Sequence, residues 1–80
     1  MGYRIGVYPK MNEPLDNILM DVITATAYYI GRKGVIFRKE DGGVEFIIPE
    51  PPPHQYVYYL LKRYDLLLDE ADPSERGTGE

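Results

Sequence analysis

Cysteine and tryptophan are absent from this 80-residue chain, and histidine occurs once, as His54. Without cysteine, the chain forms no disulfide bond and no cysteine-based zinc site. A single histidine does not support the common histidine-rich metal sites. The one serine, Ser74, lies in the polar C-terminal stretch, where it makes a poor nucleophile. We therefore predict no metal site, no cofactor and no enzymatic activity.

Long apolar runs are missing as well. No stretch reaches the ~20 residues of a membrane-spanning helix, and the first ten residues lack the apolar run of a signal peptide. These features predict a soluble, cytoplasmic protein without a membrane partner. The few amide side chains, the absent cysteine and the many tyrosine and isoleucine residues favour a thermophilic source.

Charge is unevenly distributed along the chain. The formal net charge is −4, which argues against a general affinity for nucleic acids. Residues 31–39 nevertheless carry four positive side chains and no negative one, while residues 65–80 carry six acids and one arginine. The basic stretch, formed by Arg32, Lys33, Arg38 and Lys39, is a candidate nucleic-acid-binding site. A chain of this length forms one domain, predicted at residues 1–70, followed by a flexible acidic tail at 71–80.

The order of periodic segments predicts β-α-β-β-α. Residues 3–8 alternate as a half-buried strand does. A first helix is expected from a cap at Asn12 to Ile30, with Gly31 ending it. Asp41 and Gly42 mark the tip of a β-hairpin over residues 34–49. In the resulting register, Arg38 faces Glu45, Lys39 faces Val44 and Phe37 faces Phe46, so opposite charges and aromatic rings pair. A second helix is predicted from Pro53 to Glu70.

These elements predict a two-layer α+β domain. We expect a three-stranded mixed sheet in the order 1-3-2, with both helices on one face. This is a ferredoxin-like layout that lacks its last strand, and the comparison concerns layout only. The missing strand would leave strand 1 as an open edge. The apolar arc of the first helix is wider than one sheet covers, which predicts a homodimer or tight docking on another protein.

Tyrosine is abundant, with eight residues, and this composition points to binding. On a helical wheel, a group of large and cationic side chains lies outside the core arc of the second helix. The group consists of Tyr58, Tyr59, Lys62, Arg63 and Leu66. We predict that this group binds a protein partner and that the chain is a small accessory or adaptor subunit. Two alternatives remain: a nucleic-acid-binding regulator that presents the basic stretch, alone or as a dimer, and a dimeric ligand-binding module.

Overall fold

Six elements follow one another in the computed structural model, which describes residues 2–31 and 34–71. They are β1 (Gly2–Pro9), α1 (Leu15–Tyr29), β2 (Arg38–Glu40), β3 (Gly43–Ile48), α2 (His54–Arg63) and β4 (Tyr64–Ala71). Ala71 closes β4, and the remainder of the predicted tail lies outside the described residues. Neither described helix has the length and apolar character needed to cross a membrane.

The four strands form one sheet in the order β2-β3-β1-β4, in which every neighbouring pair is antiparallel. The predicted α+β class is confirmed, and strands 1, 3 and 2 follow the predicted order. The predicted count of three strands and the mixed sheet are wrong. With β4 present, the layout is the complete β-α-β-β-α-β arrangement of ferredoxin-like domains. Strand β1 lies between β3 and β4, so the open edge predicted for it does not exist.

The second helix is much shorter than predicted, because it ends at Arg63 and the chain turns directly into β4. Tyr64 already has an extended backbone, with φ −139° and ψ 166°. All eight residues of β4 pair with β1, from Gly2 opposite Ala71 to Pro9 opposite Tyr64. Continuing the helix would leave the backbone groups along this side of β1 without partners, so pairing overrides the helical periodicity.

Helix α1 begins later than predicted and ends where expected. Pro14, rather than Asn12, occupies the N-cap position, and no side chain caps the helix there. At the other end, Gly31 adopts the left-handed conformation with φ 69° and donates its backbone N–H to the Thr26 carbonyl at 3.1 Å. This left-handed residue at C′ is the ordinary helix stop that glycine provides.

The hairpin follows the predicted register. Arg38 lies opposite Glu45 and Lys39 opposite Val44, and Gly42 adopts a left-handed conformation with φ 81° in the turn. Strand β2 itself spans only three residues. Phe37 precedes it and packs on Phe46, with ring centroids 4.7 Å apart.

Both helices pack on one face of the sheet. Their buried side chains join those of β1 and β3 in a single core, formed by Ile5, Val7, Ile18, Val22, Ala25, Val44, Phe46, Ile48, Tyr56, Leu60 and Tyr64. The opposite face carries Arg4, Tyr8, Glu45, Ile47 and Leu67, as the strand registers require. On α1, Met20 and Ile23 remain 64% and 39% exposed. The predicted homodimer stays a prediction.

Replacing Gly43 by alanine is expected to destabilise the fold by about 1–3 kcal/mol, because the new methyl group has no room. A Cβ at Gly43 would lie 2.6 Å from the Val7 carbonyl oxygen and against the Tyr8 ring, which lies over this glycine and Gly6. The backbone carbonyl cannot rotate away as a side chain can. Urea unfolding measures the loss.

Gly6→Ala is the matched control, since its Cβ would meet only the Tyr8 side chain, at 3.0 Å or more. The ring can shift by a few tenths of an ångström, so we expect a smaller loss. A Gly43→Ala protein as stable as the wild type would show that Tyr8 and β1 do not lie as described.

Candidate functional site: a tyrosine groove between the helices

A surface groove of about 410 Å³ lies between the C-terminal end of α1 and the length of α2. Its lining residues, here called the tyrosine groove, are Tyr28, Tyr29, Gln55, Tyr58, Tyr59, Lys62 and Arg63. Two of the seven side chains are cationic, four are aromatic, and none is a carboxylate.

Tyr29 lies at the centre of an aromatic cluster beneath the groove. Its ring meets Tyr28 edge-on at 5.0 Å between centroids, Tyr56 at 5.9 Å and Tyr59 at 5.7 Å. Separations and tilts of this kind are favourable for aromatic pairs. The cluster therefore joins the two helices through ring contacts and supports the groove from below.

Tyr56 anchors this cluster in the core. Its side chain is fully buried, and its hydroxyl lies 2.6 Å from the Thr26 hydroxyl. The single Thr26 hydroxyl proton goes to the Val22 carbonyl at 2.7 Å, so Tyr56 is the donor to Thr26. Burial raises the pKa of Tyr56 to about 12. The ring is thus neutral and fixed at physiological pH.

Asp21 of α1 connects three elements behind the groove. Its two carboxylate oxygens each accept one tyrosine hydroxyl, from Tyr59 of α2 at 2.8 Å and from Tyr64 of β4 at 2.5 Å. The hydrogen bond to Asp21 raises the pKa of Tyr59, and burial followed by the same carboxylate raises the pKa of Tyr64. Asp21 therefore holds the wall of the groove in place.

The rim of the groove is exposed and combines rings with cations. Tyr28 and Tyr58 are 81% and 63% exposed. Lys62 Nζ lies 5.2 Å from the centroid of the Tyr58 ring, and Arg63 Cζ lies 4.0 Å from that of Tyr59. Arg63 also donates to the Tyr59 carbonyl at 3.4 Å. Cation–π contacts at these distances hold each charge next to an aromatic surface.

The structure brings together four of the five residues predicted to bind a partner. Tyr58, Tyr59, Lys62 and Arg63 line the groove. The fifth, Leu66, belongs to β4 and packs, partly buried, against the core. It sits there because Val7 and Leu66 are opposite each other in the β1–β4 register and share the helix-covered face.

Residues of α1 complete the groove, and sequence reasoning missed their contribution. A helical wheel describes each helix separately, so it does not show that Tyr28 and Tyr29 line a groove together with α2. Two tyrosines in succession at the end of a helix are the one signal that the sequence offers. Gln55 likewise carries no signal of its own.

The basic stretch does not form one surface in the described residues. Arg38 and Lys39 are successive residues of β2, so their side chains point to opposite faces of the sheet. Lys39 donates to Asp16 of α1 at 3.0 Å, and Arg38 lies 3.6 Å from Glu40. The other two predicted residues, Arg32 and Lys33, lie outside the described residues.

No protein-family model, curated protein or solved structure matches this chain. In the part of the chain that the structure describes, no group of three or more histidine, aspartate or glutamate side chains is placed to hold a metal ion. The geometry and charge of the tyrosine groove are therefore the basis for assigning a function.

Proposed function

We propose that this chain is a small, non-enzymatic accessory subunit that binds a protein partner through the tyrosine groove. The observation that carries the proposal is the exposure of Tyr28 and Tyr58 on the rim of one groove. Tyrosine offers a large contact area with little loss of rotamer freedom, and tyrosine and arginine are enriched among residues that dominate binding energy.

The fold does not need these two rings for its stability. Tyr28 meets Tyr29 in a T-shaped contact, and Tyr58 has Lys62 over its ring. The buried tyrosines are different, because Tyr56 and Tyr64 belong to the core. Tyr28 and Tyr58 are therefore available to a partner, while the residues below them keep the groove rigid. Rigidity of this kind lowers the entropic cost of binding.

The polar groups around the groove support binding rather than chemistry. The Asp21 carboxylate is engaged by two tyrosine hydroxyls. The Thr24 and Thr26 hydroxyls donate to backbone carbonyls one turn earlier in α1, at 2.8 and 2.7 Å. These groups serve the structure, so none is positioned as a general base or a nucleophile.

The double replacement Tyr28→Ser and Tyr58→Ser is expected to weaken capture of the native partner more than tenfold, about 1.4 kcal/mol. The melting temperature should stay nearly unchanged, since both side chains are exposed. Leu61→Ser is the matched control, because Leu61 lies on the same helix, is 48% exposed and does not line the groove. Calorimetric titration against the purified partner measures affinity.

Photo-crosslinking in the native organism is the experiment that would identify the partner. Benzoylphenylalanine in place of Tyr58 should give a defined protein adduct, while the same group in place of Leu67 on the opposite face of the sheet should not. An adduct with a second copy of this chain would show that the partner is the chain itself and that the groove forms a homodimer interface. Adducts from Leu67 but not from Tyr58 would contradict the assignment of the surface.

A further inference from the structure

We infer that the segment seated in the tyrosine groove is acidic, with carboxylates that meet Lys62 and Arg63. This inference rests on the proposed function and specifies the chemistry of the partner. Both charged side chains that line the groove are cations. The chain as a whole carries a net charge of −4, so the groove has the opposite sign to the rest of the protein.

The two cations differ from most of the others in how their charge is balanced. Among the six described lysine and arginine side chains, three form ion pairs: Lys10 with Asp65, Arg38 with Glu40, and Lys39 with Asp16. Arg4, on the opposite face of the sheet, forms none with a carboxylate of the described residues. Lys62 and Arg63 likewise form no ion pair with a carboxylate of the described residues. They lie on the rings of Tyr58 and Tyr59 instead.

The Asp21 carboxylate approaches the groove wall, but both of its oxygens are already used in hydrogen bonds. Each of its oxygens accepts a tyrosine hydroxyl, at 2.8 and 2.5 Å. The charges of Lys62 and Arg63 are therefore available to a ligand. The rings of Tyr58 and Tyr59 hold both side chains in position before the ligand binds. Charge complementarity at an interface selects the partner and speeds its association.

A peptide segment fits this surface better than a nucleic acid does. Two cations on one turn of a helix balance two carboxylates, whereas nucleic-acid binding needs a longer row of phosphate contacts. The net charge of −4 also repels a long polyanion more strongly than a short segment with a few carboxylates. The exposed rings of Tyr28 and Tyr58 line the same groove and add apolar contact area next to the charges.

The test is an NMR titration of the ¹⁵N-labelled protein with a short glutamate-rich peptide at low salt. We expect shifts at the amides of Tyr28, Tyr58, Lys62 and Arg63, and weaker binding as salt is added. The double variant Lys62→Gln and Arg63→Gln should bind this peptide about tenfold more weakly. Lys10→Gln, a cation outside the groove and paired with Asp65, is the matched control and should bind it as the wild type does.

Two further probes decide between ligand classes. A lysine-rich peptide of the same design should leave the groove amides unshifted, and so should oligothymidylate. Absence of binding by the acidic peptide, or preference for the lysine peptide, would overturn the inference. Binding of oligothymidylate at these amides in preference to the acidic peptide would overturn it in favour of a nucleic acid.

Failure of the acidic-segment inference is distinguishable from failure of the proposed function. If Tyr58 cross-links to a protein but the acidic peptide does not bind, the groove is a protein-binding surface of different polarity. If the peptide binds the groove and no protein adduct forms, the acidic ligand stands and the accessory-subunit proposal fails.

Discussion

Phe46→Ala is expected to destabilise the protein by about 3–5 kcal/mol. The Phe46 side chain is 3% exposed, lies opposite Ile5 in the sheet and packs against Phe37 with the ring centroids 4.7 Å apart. Removing it leaves a cavity at the centre of the only core that the described residues form. A chain of this size has a total stability of only about 4–12 kcal/mol. The variant should therefore be largely unfolded in mild urea, as circular dichroism would show.

Ile47→Ala is the matched control, because it shortens an apolar side chain of the same strand on the other face of the sheet. Ile47 is the next residue of β3, points to the opposite face of the sheet and is 36% exposed. Its replacement should cost clearly less than that of Phe46. Equal losses for the two variants, or a Phe46→Ala protein with unchanged stability, would contradict the described register.

Local sequence rules were sufficient for the hairpin. Asp41 and Gly42 fix the turn, and the pairing of Arg38 with Glu45 follows from counting outward along the two strands. The Phe37–Phe46 contact follows from the same count. A one-residue slip of β2 against β3 would have turned the Phe37 ring to the other face of the sheet, away from Phe46, so one arrangement satisfies turn and core together.

The boundary between α2 and β4 illustrates the opposite case. Tyr64, Leu67 and Leu68 satisfy a helical period, whereas Tyr64, Leu66 and Leu68 satisfy a strand period, so apolar spacing alone does not decide. The charges carried the missing signal. Lys62 and Arg63 suit the C-terminal end of a helix, and acids from Asp65 onward oppose it. Residues 64–71 form a strand because β1 offers an edge to pair with, and β1 is too distant in sequence for a local rule to include it.

The tyrosine groove was only partly accessible from sequence. The periodicity of α2 placed Tyr58, Tyr59, Lys62 and Arg63 outside its core arc, because all four lie within two turns of one helix. Their meeting with Tyr28 depends on how α1 crosses α2, and the Asp21 hydrogen bonds depend on β4 as well. Contacts between elements distant in sequence are set by tertiary packing.

Alkaline pH is expected to unfold this protein cooperatively, through its buried tyrosines. Tyr56 and Tyr64 are 0% and 4% exposed. Burial raises the pKa of Tyr56 to about 12 and also raises that of Tyr64, whereas both ionise near pH 10 in the unfolded chain. The folded state therefore keeps these two protons to a higher pH than the unfolded state does, and the hydrogen bond to Asp21 adds a contribution from Tyr59. Stability is fully present below about pH 10 and falls as the pH rises toward the folded-state pKa values.

The slope of the free energy of unfolding against pH identifies the residues responsible for the loss of stability. Each retained proton lowers the folding equilibrium constant about tenfold per pH unit, so two tyrosines lower it about a hundredfold, roughly 3 kcal/mol. Urea unfolding at several pH values measures this slope. Tyr64→Phe loses the hydrogen bond to Asp21, so it should be less stable at neutral pH by about 1 kcal/mol. It should also show a shallower slope, because one retained proton is removed, so its stability approaches that of the wild type in alkali.

Tyr28→Phe is the control for the pH experiment, since Tyr28 is 81% exposed and its replacement should leave the slope unchanged. Tyrosinate absorbance supplies an independent readout. The last tyrosines to ionise should do so together with the loss of circular dichroism. If every tyrosine ionised with the fold intact, Tyr56 and Tyr64 would be accessible to water. The core described around them would then be wrong, and with it the rigid base that the tyrosine groove requires.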